Sequence, residues 1–211
     1  LPCGNCPNAE AALDSVLAYY GADELTIVSY HDDQGLDPLD TEETVARIYW
    51  YTAGTGNEGQ YPAVIVDGGI DRIILGAPSV EEAETEYRIE IDYRRTFGSP
   101  VTVGLAGVID GGRGEVTARV RVRDPLSPGD YVLRAVVIED DIEAFGHDFG
   151  FSARDILEDE PLTVSAVGDS AVVERSFTVD PSWAEENMDV IAFVQNDVTK
   201  EVLQSCRLGN R

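Results

Sequence analysis

Cys3 and Cys6 stand two residues apart at the front of "CGNCPNAEAALDSVLAYY" (3–20), a stretch with apolar residues at helical spacing. A Cys-x-x-Cys pair at a helix start supports two chemistries. The positive end of the helix favours a thiolate, which would make Cys3 an attacking and Cys6 a resolving group in disulfide exchange. The same spacing closes a short structural disulfide in an exported protein. Two features weigh against the first reading. Pro7 follows Cys6 directly, and an acid-rich surface with no lysine in this half of the chain pushes a thiol pKa upward.

Other candidates are scattered. Asp32, Asp33, Asp37 and Asp40 crowd the loop "DDQGLDPLD" (32–40), where hard oxygen ligands could hold calcium, although the D-x-D-x-D-G order is absent. No other cofactor is expected. His31 ends an extended run; it is either a hydrogen-bonded strand-end histidine or an aid to proton transfer at a thiol. His147 beside Asp148 reads as a solvated loop residue, with a calcium or partner contact as the alternative. With only these two histidines, neither at ligand spacing, the cysteine pair lacks the further ligands zinc needs. Cys206 lies in a core-like segment and is either a buried free thiol or one half of a bond to another chain. No Gly-x-Ser-x-Gly, phosphate loop, dinucleotide fingerprint or zinc-protease helix occurs, which removes the hydrolase and nucleotide-dependent classes.

Forty acidic against 15 basic residues give 211 residues a formal charge of −25. Such a chain repels nucleic acid and anionic lipid. Lys200 is the only lysine. A lysine-poor, acid-rich surface suits a salt-adapted protein or an ordinary acidic extracellular one. No apolar run approaches the length of a transmembrane helix, and no leader is present, so an exported form would have lost its signal.

The elements that must position these groups fall into two sets. In the first, a helix from Pro7 stops at Gly21, and "ELTIVSYH" (24–31) reads as a buried strand. A second helix capped by Asp40 and Glu43 ends at Gly54, and strands follow at 61–68 and 70–77, joined at Gly68-Gly69. A third helix opens at Ser79 with Glu82, burying Val80, Ala83, Tyr87 and Ile91. After residue 98 the texture becomes all β. Strands are predicted at 101–110, 115–124, 131–140, 161–167, 171–179, 189–196 and 200–206, with 140–160 as one extended connection. Val116, Ala118, Val120 and Val122 alternate with Thr117, Arg119, Arg121 and Arg123, whose arginines are expected to pair with acids across the sheet, with acids of a neighbouring subunit as the alternative. This pattern predicts an α/β domain over 1–98 and an immunoglobulin-like β-sandwich over 99–211.

The dithiol, the helix and strand order, and Tyr61-Pro62 at the head of a strand resemble the thioredoxin fold, in which a cis-proline faces the dithiol. With the tail "SWAEENMDVIAFVQNDVTKEVLQSC" (182–206), the chain is similar to the outer membrane protein 28-related family of bacterial surface and secreted proteins. The resemblance implies a thioredoxin-like domain joined to a β-sandwich, and a Pro62 that shapes a peptide groove beside Cys3 and Cys6. One departure is plain: the central strand that precedes such a dithiol is not represented, since only Leu1 and Pro2 come before Cys3. The expectation is a trimmed chain, or a strand donated by a neighbouring subunit.

The leading functional expectation is an exported cell-surface or extracellular structural protein that self-associates through sheet edges into oligomers or fibres. Thiol-disulfide oxidoreductase is the alternative. A third class, a carbohydrate- or peptide-binding module, rests on Trp183 and the aromatic-containing loop 145–151.

Overall fold

A computed structural model describes residues 3–32, 39–144 and 147–209. The N-terminal half is mixed α/β. Helix α1 (Cys6–Tyr20) carries Pro7 in its first turn, where no N–H is needed, and ends at Gly21, whose φ of 87° only glycine adopts readily. Helix α2 (Glu42–Thr52) is capped one residue later than Asp40. Thr41 Oγ1 accepts from the Thr44 N–H at 3.1 Å, and Thr44 Oγ1 accepts from the Thr41 N–H at 2.9 Å. Two hydroxyls at the cap and third helical positions satisfy these donors without the carboxylates of Asp40 and Glu43. Strands β1 (Ala63–Val64) and β2 (Ile74–Leu75) form a two-residue antiparallel pair. They are shorter than the predicted strands because residues 65–73 turn back on themselves, with the Gly69 N–H donating to Val66 O at 3.0 Å. Helix α3 (Val80–Arg95) starts at Ser79, which accepts from the Glu82 N–H. It carries Glu81 and Glu82 at its positive end and Arg94 and Arg95 at its negative end. Ala9, Ala12 and Val16 of α1 pack with Ala83, Tyr87 and Ile91 of α3 to make the core of this half.

The C-terminal half is a β-sandwich. Strands β3 (Val101–Asp110) and β4 (Arg113–Val122) lead into β5 (Tyr131–Glu139), the hairpin β6 (Ile142–Ala144) and β7 (His147–Phe149), and β8 (Ser152–Ile156). Then come β9 (Glu160–Pro161), β10 (Ser170–Thr178), β11 (Met188–Asn196) and β12 (Val202–Arg207). One sheet runs β10-β4-β3; the other runs β12-β11-β5-β8, with β9 also on β5. Val116, Ala118, Val120 and Val122 of β4 point into the core between them, opposite Leu133, Val137, Val190 and Val194. The stretch 140–160 is therefore not one open connection. The predicted strand at 161–167 meets β5 at its start, through β9 and the Leu162 N–H on Tyr131 O at 2.8 Å, while Pro161 has no N–H to give the ladder.

The run 24–31 is extended but is not a sheet strand. It forms a single parallel bridge, Ser29 to Ser152, with the Ser29 N–H on Phe151 O at 2.8 Å and the Ala153 N–H on Ser29 O at 2.9 Å. Val28 and Tyr30 thereby cover an apolar patch of Val136, Ile138, Ala153, Ile191 and Phe193 on the outer face of the larger sheet.

The halves are also tied at Lys200. Its ammonium donates to the carbonyls of Trp50 and Tyr51 at the end of α2 and lies 5.2 Å from the centre of the Trp50 ring. Gly68 approaches so closely that a Cβ there would lie 1.8 Å from Lys200 O. Lys200→Met removes the charge from a helix C-terminus and two carbonyl contacts. It is expected to cost about 2 kcal/mol, read as a lower urea midpoint at unchanged slope; an unmoved midpoint would show that the junction does not depend on this lysine.

Candidate functional site

An open cavity of about 860 Å³ lies between α1, the run 24–32 and the loop 59–68. Cys3 and Cys6 line it and are joined in a disulfide, with Cys6 the first residue of α1. Pro62 lines the same cavity, and the Tyr61-Pro62 peptide is cis. Tyr61 donates its hydroxyl to Asp32 Oδ2 at 2.7 Å, which links the proline loop to the end of the extended run.

Glu10 lies one helical turn beyond Cys6, so both residues occupy the same face of α1, and both line the cavity. Ser29 Oγ donates to Glu10 Oε1 at 3.3 Å. Burial raises the Glu10 carboxyl to about 7, opposed by His31 and the Ser29 hydrogen bond and reinforced by Asp14. From α3, Tyr87 faces the same space. Its hydroxyl is buried with no hydrogen-bond partner among the described residues, and burial with the nearby Glu10 pushes it up to about 12. Nothing in composition or motif pointed to Glu10. The available signal was helical geometry, since Glu10 sits on the line of Cys6, Leu13 and Leu17 at the margin of the apolar face.

His31 is buried, with Nε2 3.2 Å from Ser152 Oγ and its ring edge-on to Phe149 at 5.5 Å. It also lines the cavity, so it joins the dithiol, Glu10 and Pro62 while being held from the sandwich side. Asp33 and Asp37 lie outside the described residues. Asp32 is engaged by Tyr61, and among the described residues no group of three or more His, Cys, Asp or Glu is arranged to hold a metal.

The remaining candidates lie elsewhere. His147 is exposed on β7. Trp183 is half-buried against the sandwich core, with the Arg154 guanidinium 5.3 Å above its ring. Cys206 is a half-buried free thiol on β12 opposite Ala192. Directly opposite Arg119 are Gly104 and Val172, and opposite Arg121 are Thr102 and Ser170, so the neighbours in register supply no acid for the expected cross-strand pairs.

Thr26, Ile27 and Val28 also line the cavity. They have main-chain groups with no hydrogen-bond partner among the described residues, and β1 pairs only with β2.

The architecture is similar to HBP35 of Porphyromonas gingivalis, with a TM-score of 0.60 and 17% identity over 76% of this chain and 56% of that one. This chain thus spans about half the length of that protein. A domain of the outer membrane lipoprotein Omp28 from Porphyromonas gingivalis aligns at 16% identity and a TM-score of 0.39, over 52% of this chain and 86% of that one. Likeness at this identity reports a related fold. No family model and no curated protein matches the chain. Among the described residues no helix is long and apolar enough to cross a membrane.

Glu10 makes stability depend on pH. Its folded pKa of about 7 exceeds the ordinary 4.5, so the folded state holds a proton that the unfolded chain loses between those values. Stability therefore falls as pH rises from about 4.5 to about 7. Glu10→Gln, which cannot ionise, is expected to flatten this part of the profile and to raise stability at pH 8, by up to about 3 kcal/mol. Urea titrations of both proteins at pH 5 and pH 8 check it; a variant no more stable at pH 8 would contradict a strained Glu10 carboxylate.

Proposed function

We propose that this chain is an exported protein of the outer membrane protein 28-related kind, whose thioredoxin-like N-terminal half exchanges disulfides through Cys3 and Cys6. One observation carries the reading: the Cys3–Cys6 disulfide at the head of α1 and the cis Tyr61-Pro62 peptide line one cavity, together with the carboxyl of Glu10. A titratable group brought near neutrality beside a disulfide is what proton-coupled exchange requires. In this reading a substrate thiolate attacks Cys3, Cys6 leaves, and the stretch beside Pro62 holds the substrate chain extended. The sandwich half is immunoglobulin-like and serves as the platform. An extracellular or surface setting suits both the oxidised pair and the acid-rich composition.

Turnover decides the matter. In an insulin-reduction assay driven by dithiothreitol, the chain is expected to accelerate precipitation, Cys3→Ser to abolish the acceleration, and Cys206→Ser to preserve it. Equal rates with and without the protein would overturn the enzyme reading.

A second reading is favoured by the unpartnered main chain of Thr26, Ile27 and Val28. Here the protein is structural and self-associates when a strand from another copy enters the cavity beside them. Light scattering after size exclusion is then expected to show a concentration-dependent oligomer. A monomer at every concentration would remove this reading.

A further inference from the structure

We propose that Glu10 is the proton donor to the Cys6 sulfur when the Cys3–Cys6 disulfide is opened. The inference deepens the exchange reading above and rests on it for its biological purpose.

The geometry is local. Cys6 and Glu10 are one turn apart on one face of α1, the spacing at which helix side chains are neighbours, and both line the same cavity. The groups around Glu10 fix what it can do. On its own helix Asp14 adds negative charge; from the extended run come the Ser29 hydroxyl and His31; from α3 comes the buried hydroxyl of Tyr87. Among the described residues no arginine or lysine acts on the carboxyl. By contrast Glu90, also buried in this half, is clamped by Arg72 at 3.0 Å and Arg94 at 2.9 Å. A carboxyl raised to about 7 is half protonated in neutral solution and reloads from water through the open cavity.

The step balances. A thiolate of an incoming substrate attacks Cys3 Sγ, a new sulfur–sulfur bond forms there, and the Cys3–Cys6 bond breaks with its electron pair on Cys6 Sγ. Glu10 gives its proton to that sulfur and is left as a carboxylate. Cys6 is reduced to a thiol and the substrate sulfur is oxidised into the mixed disulfide. A second substrate thiolate then displaces Cys3, completing a two-electron transfer to the protein.

The test is stoichiometric reduction of the protein's own disulfide by glutathione from pH 5.5 to 8.5. It is followed by alkylation and intact mass, with rates divided by the thiolate concentration. The wild-type constant is expected to fall as pH rises through about 7, as Glu10 loses its proton. Glu10→Gln is expected to be flat and at least about tenfold slower below pH 6, and Glu10→Asp to restore a titrating limb. Equal constants for wild type and Glu10→Gln below pH 6, with a difference only at pH 8, would reduce Glu10 to a repelling charge and overturn the proposal. Should Glu10→Gln not fold, a wild-type profile without a fall near pH 7 overturns it equally. No protein substrate is involved. A positive profile alongside failed insulin turnover would therefore sink the enzyme reading and leave the Glu10 assignment standing.

Discussion

A β-sheet that is apolar on both faces cannot leave one of them in water, and this constraint organises the molecule. Strands β5 and β11 are buried along their whole length. Their inner residues fill the sandwich; their outer residues, Val136, Ile138, Ile191 and Phe193, need a cover. Fully burying each such side chain is worth about 1.5–3 kcal/mol. The N-terminal half supplies that cover with Val28 and Tyr30, and the same contact carries Ser29 and His31 to their places beside α1. Position of the site and stability of the sandwich thus follow from one interface.

Scarcity of cations shapes the electrostatics. With 15 basic residues against 40 acids, several arginines sit where a buried carboxylate or carbonyl would otherwise be orphaned. Arg134 is 4% exposed, reaches Gln195 at 2.7 Å, Asp197 at 2.6 Å and Asp159 at 3.1 Å, and lies under Trp50. Arg207 similarly bridges Asp189 at 2.6 Å and Asp140 at 2.8 Å. Buried ions persist when paired in this way. Glu10 is half-buried with a serine and a histidine, which oppose but do not cancel the rise in pKa that burial causes.

Much of this was legible from residue order. Helices α1 and α3 follow from Pro7, Ser79 and the spacing of Ala9, Ala12 and Val16, and β4 follows from strict alternation. The features that escaped depend on partners distant in sequence. The run "ELTIVSYH" has strand composition, yet it packs by its side chains on a foreign sheet and shares main-chain hydrogen bonds with it at Ser29, which no local pattern reveals. β8, "SARDI", lacks alternation because Arg154 serves Glu139 and Ala153 serves the junction. Asp40 and Glu43 looked like a cap, but Thr41 and Thr44 satisfy the same donors, and Thr44 also donates to His31 O at 3.1 Å. Of the site, the dithiol and Pro62 could be read directly. Glu10 could not, because its chemistry comes from what lies opposite it.

That dependence sets how the site can work. Ser29 spends its main chain on Phe151 and Ala153 of the sandwich and its hydroxyl on Glu10 of α1. His31 likewise divides between Ser152 and the cavity that holds the disulfide. A shift of the sandwich relative to α1 would therefore change the hydrogen bond and the charge that oppose the rise in the Glu10 pKa. The extended run binds the sandwich at Ser29, while the neighbouring Thr26, Ile27 and Val28, which line the cavity, have main-chain groups without a partner among the described residues. Anything that pairs with those groups presses on the segment that holds Ser29. The wall of the cavity and the surroundings of Glu10 are thus built from the same few residues, and both need the two halves in contact.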